Sequence, residues 1–154
     1  MKAYYFHSQI HEIPFVNHFA GVLGMPRNTL HAEGILCAFF KTFRERIPLF
    51  ASRALIAHLP TDVHPLYKRD WNQEFATTFD YYEFVEALFT TKNKNNSHFF
   101  NTKGKVEAVV SAFFEVIKKE ATEEKYDDLM ALMPFTLRMN LLRDYVFEGH
   151  SYIV

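Results

Sequence analysis

Cysteine occurs only once in the 154 residues, at Cys37. A single thiol cannot close an intramolecular disulfide, so no disulfide framework holds the fold, and this usage fits a reducing compartment. Glycine is scarce too: five scattered residues offer no Gly-rich loop whose backbone N–H groups could cradle a phosphate. A Ser-centred elbow and a cysteine pair at zinc spacing are both missing. The formal charge of −1 leaves no global excess of positive charge to draw in nucleic acid or acidic membranes. The longest apolar stretches, such as Gly34–Phe40, fall far short of the roughly 20 residues that cross a bilayer. The opening MKAYYFHSQIHEIPF has no basic start leading into an apolar run and a small-residue cleavage site, so it does not read as a signal peptide. The expected location is the cytoplasm.

What the chain has in abundance is aromatic rings. Seventeen Phe and eight Tyr stand against one Trp, which predicts a core of bulky rings, with some held at a surface for a partner. The length suits one domain, enough to bury a core without staples.

Internal similarity fixes the architecture. Residues 31–72 laid over 105–146, an offset of 74, put Ala38-Phe39-Phe40 on Ala112-Phe113-Phe114 without a gap. Glu33 then falls on Glu107, Leu55 on Leu129, Ala57 on Ala131, Pro60 on Pro134, and Arg69-Asp70 on Arg143-Asp144. Leu36 with Val110, Phe43 with Ile117, Leu59 with Met133, Val63 with Leu137 and Trp71 with Tyr145 match conservatively. Upstream the offset is 65, pairing Phe19 with Phe84 and Leu23 with Leu88, so the second copy carries nine extra residues within Thr90–Thr102.

The apolar period inside each copy is helical. Ile35, Phe39, Phe43 and Ile47 step by four, with Leu36 and Phe40 beside them; Val109, Val110, Phe113, Phe114 and Ile117 repeat the pattern. A third helix carries Leu55, Ile56 and Leu59 in one copy and Tyr126, Leu129, Met130 and Met133 in the other. Pro60 or Pro134 ends it and opens a short fourth helix. Asp80 with Glu83 forms a capping-box pattern, and Thr122 before Glu123 and Glu124 places a cap and two acids at a helix start. Strand signals are confined to Ala3–Phe6 and Tyr152–Val154, expected as extended arms. The predicted fold is all-α: a single domain over 1–154 holding a bundle of about eight helices. It is made of two tandem four-helix repeats, about 13–72 and 79–147, related by a pseudo-two-fold axis.

Three stretches carry a family resemblance: LIAHLPTDVHPLYKRDW (Leu55–Trp71), DYYEFVEAL (Asp80–Leu88) and MPFTLRMNLLRDY (Met133–Tyr145). Together they resemble the bacterial family known as domain of unknown function 2267, from about Val16 to Phe147. The chain departs from it at Asp70, where the family has glycine before the aromatic, and in the nine-residue insertion. The resemblance implies a helical bundle in a bacterial protein. It implies no activity and carries over no functional residue.

Few residues suggest chemistry. His7, His11 and His18 lie four and seven residues apart, so one continuous helix would bring their imidazoles near one face, with Glu12 adjoining. That donor set would suit zinc or iron, although Pro14 interrupts such a helix. His31, His58, His64, His98 and His150 show no ligand spacing. Glu33 and Glu107 read as helix-start acids that favour the dipole, since neither has the histidine three residues on that a di-iron bundle uses. Cys37 reads as a buried, inert thiol. In the insertion, Lys92, Lys94, Lys103 and Lys105 flank Phe99-Phe100, a mix of cations and rings that can anchor a protein or stack with single-stranded nucleic acid.

The leading expectation is a non-enzymatic interaction or regulatory module without a cofactor. Its partner is another protein, a second copy of the chain included, and neither a membrane nor nucleic acid. The second reading is a metal-binding protein or metal-dependent enzyme using His7, His11, His18 and Glu12. The third is a nucleic-acid binder using the lysine and phenylalanine insertion.

Overall fold

The computed structural model describes residues 13–69, 79–90 and 102–142. Among them every regular element is helical, with no strand. The arms expected at Ala3–Phe6 and Tyr152–Val154 lie outside the described residues.

Helix α1 (Pro14–Val22) starts on a proline at its first position, where the missing N–H costs nothing. It stops at Gly24, the one described glycine with a positive φ, 84°. The Met25 N–H donates to Ala20 O and the Gly24 N–H to Gly21 O, so two orphan carbonyls are satisfied by a left-handed glycine. Helix α2 (Thr29–Arg44) opens on Asn28, whose Oδ1 accepts from the His31 N–H at 3.3 Å. The step of four that runs on to Ile47 outlasts the helix, because Pro48 disfavours helical backbone just before it. Ile47 is nonetheless buried. Helix α3 (Leu49–His58) follows. Pro60 then precedes a 3-10 turn (Thr61–Val63) that runs into α4 (His64–Lys68).

In the second half all three longer helices open on side-chain caps. Helix α5 (Tyr81–Phe89) is capped by Asp80, which accepts from the Tyr82 and Glu83 N–H groups. Helix α6 (Lys103–Glu120) is capped by Thr102 through the Lys105 N–H, and α7 (Glu123–Leu132) by Thr122 through the Lys125 N–H. Residues 135–142 form α8, with the Pro134 carbonyl accepting from the Arg138 N–H.

Helices α2 and α6 meet at the centre. Each of α1 and α5 packs on both of them, α3 packs on α7, and α4 on α2. The buried apolar side chains form one cluster that takes residues from both halves. Its middle is a set of phenylalanine rings: Phe113 lies with ring centroids 4.8 Å from Phe39, 5.4 Å from Phe40, 5.0 Å from Phe114 and 5.8 Å from Phe15. The Phe39–Phe40 and Phe113–Phe114 pairs therefore face each other. Edge-on and tilted geometries place ring edges against ring faces, which adds to the burial of apolar area.

Candidate functional site

Several polar side chains inside the bundle are bonded locally. Arg44, at the end of α2, is only 3% exposed, and its Nη1 donates to the Tyr67 carbonyl at 2.6 Å. That carbonyl belongs to the last turn of α4, where helix geometry leaves acceptors without an intrahelical donor. The Tyr67 and Ser52 hydroxyls share a 2.5 Å hydrogen bond. Burial pushes the Tyr67 phenol well above its ordinary pKa, against the pull of Ser52 and Arg44, so it stays neutral. These three side chains tie α2, α3 and α4 together. In the second half, Asn140 Nδ2 donates to Thr136 O at 2.8 Å, and Thr136 Oγ1 accepts from the Tyr81 N–H at 3.0 Å. The Tyr81–Thr136 bond fastens α8 to the start of α5.

Of the residues singled out for a metal, only His18 is described; His7, His11 and Glu12 lie outside. His18 Nδ1 sits 3.1 Å from Glu120 Oε2, both side chains about a third exposed, joining α1 to the end of α6. Among the described residues no three His, Cys, Asp or Glu are grouped to hold a metal ion. His58 contacts Ala54 O through Nδ1 at 2.8 Å and Lys125 O through Nε2 at 3.1 Å, bridging α3 to α7.

The dipole account of Glu33 and Glu107 is corrected. Each is the fifth residue of its helix, and neither α2 nor α6 has an acid in its first turn. The dipole's effect fades beyond that turn. The helices begin earlier because Asn28 and Thr102 cap them. Cys37 is half-buried, and burial raises its thiol pKa, with Arg69 and Arg44 opposing and Glu33 adding. That agrees with an inert thiol.

Lys92, Lys94, Phe99 and Phe100 of the insertion lie outside the described residues. Lys103 and Lys105 occupy the first turn of α6. Lys103 Nζ pairs with Glu86 at 3.1 Å and stands 5.9 Å from the Phe89 ring centroid, linking the end of α5 to the start of α6.

One surface feature escaped the sequence reading. Leu132, Phe135, Met139 and Leu142 are all exposed, Phe135 at 64% and Leu142 at 57%. Phe135, Met139 and Leu142 stand at i, i+4 and i+7 of α8, so they share one helical face. The Arg138 guanidinium lies 5.8 Å from the Phe135 ring centroid. The offset of 74 sets these four against His58, Thr61, Pro65 and Lys68. The signal was present as mismatches, which a search for matching positions passes over.

No described helix is long and apolar enough to cross a membrane. No curated protein matches the chain. A family model described as an uncharacterized conserved protein, DUF2267, matches residues 13–139, a span that takes in seven of the helices and part of α8. The chain belongs to the DUF2267 family.

Proposed function

We propose that this chain is a tandem duplication of one four-helix unit (13–72 and 79–147, about a pseudo-two-fold axis). We propose further that it works without catalysis, as a protein-binding module of the bacterial cytoplasm, through the face formed by Leu132, Phe135, Met139 and Leu142. Support for the duplication comes from element bounds. Thr29 and Leu49, where α2 and α3 begin, lie 74 residues before Lys103 and Glu123, where α6 and α7 begin. The capping residues Asn28 and Thr102 keep the same offset. Ala32, Ile35, Leu36, Phe39, Phe40 and Phe43 are buried, and so are Val106, Val109, Val110, Phe113, Phe114 and Ile117 at +74. The packing is symmetric as well: α1 and α5 each touch both central helices, while α2 meets α6 and α3 meets α7.

The observation that carries the binding reading is the divergence of the two copies from the end of α3 through α4 and from the end of α7 through α8. Where the first copy has His58, Thr61, Pro65 and Lys68, the second exposes three large aliphatic side chains and a ring. The fold tolerates polar residues there, so packing within a copy does not demand apolar ones. Exposed apolar side chains gathered on one face mark interaction sites. The test is a photo-crosslinking amino acid placed at Phe135 and, as control, at Thr61, in growing cells. A discrete intermolecular adduct from position 135 and none from position 61 is expected. No intermolecular adduct from position 135 refutes the reading.

A further inference from the structure

The two halves carry opposite charge. Residues 13–69 hold seven Lys and Arg against three Asp and Glu; the described residues from 79 to 142 hold six against ten. On the surface this opposition is sharpest between α3 and α7, the helices that pack side by side. Helix α3 turns Phe50, Arg53 and Ala57 to solvent, and α7 turns Glu124, Asp127, Asp128 and Ala131, with Lys125 the one exposed cation among its acids. Phe50 is 60% exposed. The ion pairs between described residues use none of Arg53, Asp127 and Asp128.

Resting on the reading that the Leu132–Leu142 face binds protein, we infer that its occupant is a second copy of this chain, docked α3 against α7 in antiparallel register. In that register Phe50 meets Leu132 and Phe135 of the second copy, and Arg53 meets Asp127 and Asp128 of the second copy. Ala57 passes beside Glu124, where its small side chain lets the helices approach. The two-fold operation that forms one such contact forms its mirror, because each molecule offers both an α3 and an α7–α8 surface. A neutral or purely apolar partner would leave the acids of α7 facing apolar surface, which desolvates charge without return. The chain's own α3 supplies the ring and the cation together.

The experiment is sedimentation velocity on the full chain, with Arg53→Glu and Asp127→Lys/Asp128→Lys variants alone and mixed. The wild type is expected to be a dimer whose affinity falls about tenfold or more from low to high salt, as exposed charge pairs are screened. Each variant alone juxtaposes like charges and is expected to sediment as a monomer. Their equimolar mixture restores opposite charges at both contacts and is expected to sediment as a heterodimer. Circular dichroism melts of the variants verify that they fold, and the heterodimer itself cannot form from misfolded chains. A monomeric wild type, or a mixture that remains monomeric, overturns self-docking. If the crosslink from position 135 then joins a different protein, the binding face stands and only its occupant was wrong. With no intermolecular adduct at all, both fall.

Discussion

Truncating Phe113 to Ala removes the ring around which the core is organised. Phe113 has no exposed surface and touches Phe15 of α1, Phe39 and Phe40 of α2 and Phe114 of its own helix. Phe→Ala in a close-packed core costs about 3–5 kcal/mol, more where the surroundings cannot collapse into the void. Collapse is difficult here, since the lining rings sit on three different helices that would all have to move. The expected loss is therefore near the upper end. For a chain of this size it lowers the melting temperature by roughly 6–20 °C. Denaturant titration at high dilution measures it directly, with Phe135→Ala as a control expected within ~0.5 kcal/mol of the dilute wild type because that ring is in solvent in the monomer. Phe39 and Phe113 share one cavity, so the double truncation should be non-additive by about 0.5–3 kcal/mol. A loss under ~1 kcal/mol for Phe113→Ala, or strict additivity with Phe39→Ala, would refute this account of the core.

Asn28→Ala and Thr102→Ala each delete a side-chain cap, one at the start of α2 and one at the start of α6, and each should cost about 1 kcal/mol in urea titrations. Alkaline pH should unfold the protein from the phenol side. Burial raises the Tyr126 pKa to about 12, helped by Asp127, and raises that of Tyr67 further still, so the unfolded chain ionises first. Stability is then fully present below about pH 10, the unfolded value, and is lost as pH climbs through the folded one. Tyr126→Phe should flatten the loss between about pH 10 and pH 12 in chemical denaturation. Cys37, with its pKa raised by burial, should react with iodoacetamide in the native protein at least about tenfold more slowly than a free thiol at the same pH, and recover the free rate in denaturant.

The helical phase was legible because each central helix buries the same six positions, and a ring or branched aliphatic at i, i+3, i+4 and i+7 leaves little choice of face. Asp80, Thr102 and Thr122 act as caps through local hydrogen bonds that depend on neighbouring residues alone. What lay beyond sequence was set by contacts distant along the chain. Arg44 reads as an ordinary surface cation at a helix end until α4 brings the Tyr67 carbonyl to it. His18 gives no hint of its partner until α6 brings Glu120 to within 3.1 Å of its Nδ1. Glu33 and Glu107 were misread because matching acids suggest a shared end effect, while helix starts are decided by the caps upstream. The α8 face was invisible to a period argument, since apolar residues at helical spacing imply burial. Only solvent exposure separates a docking face from a core face.

The claim at the centre of this account is that positions shared by the copies make the fold and positions where they diverge make the contact. The concentration dependence of the urea midpoint tests it in Phe135→Thr/Leu142→Lys, which gives two positions of α8 the residues of the first copy. Self-association stabilises the folded state by mass action, so the wild-type midpoint should rise with protein concentration. The variant's midpoint should stay constant and match that of the dilute wild type to within about 0.5 kcal/mol in stability. A variant destabilised by more than about 2 kcal/mol at high dilution would make α8's face part of the core, and one whose midpoint still rises with concentration would place the contact elsewhere.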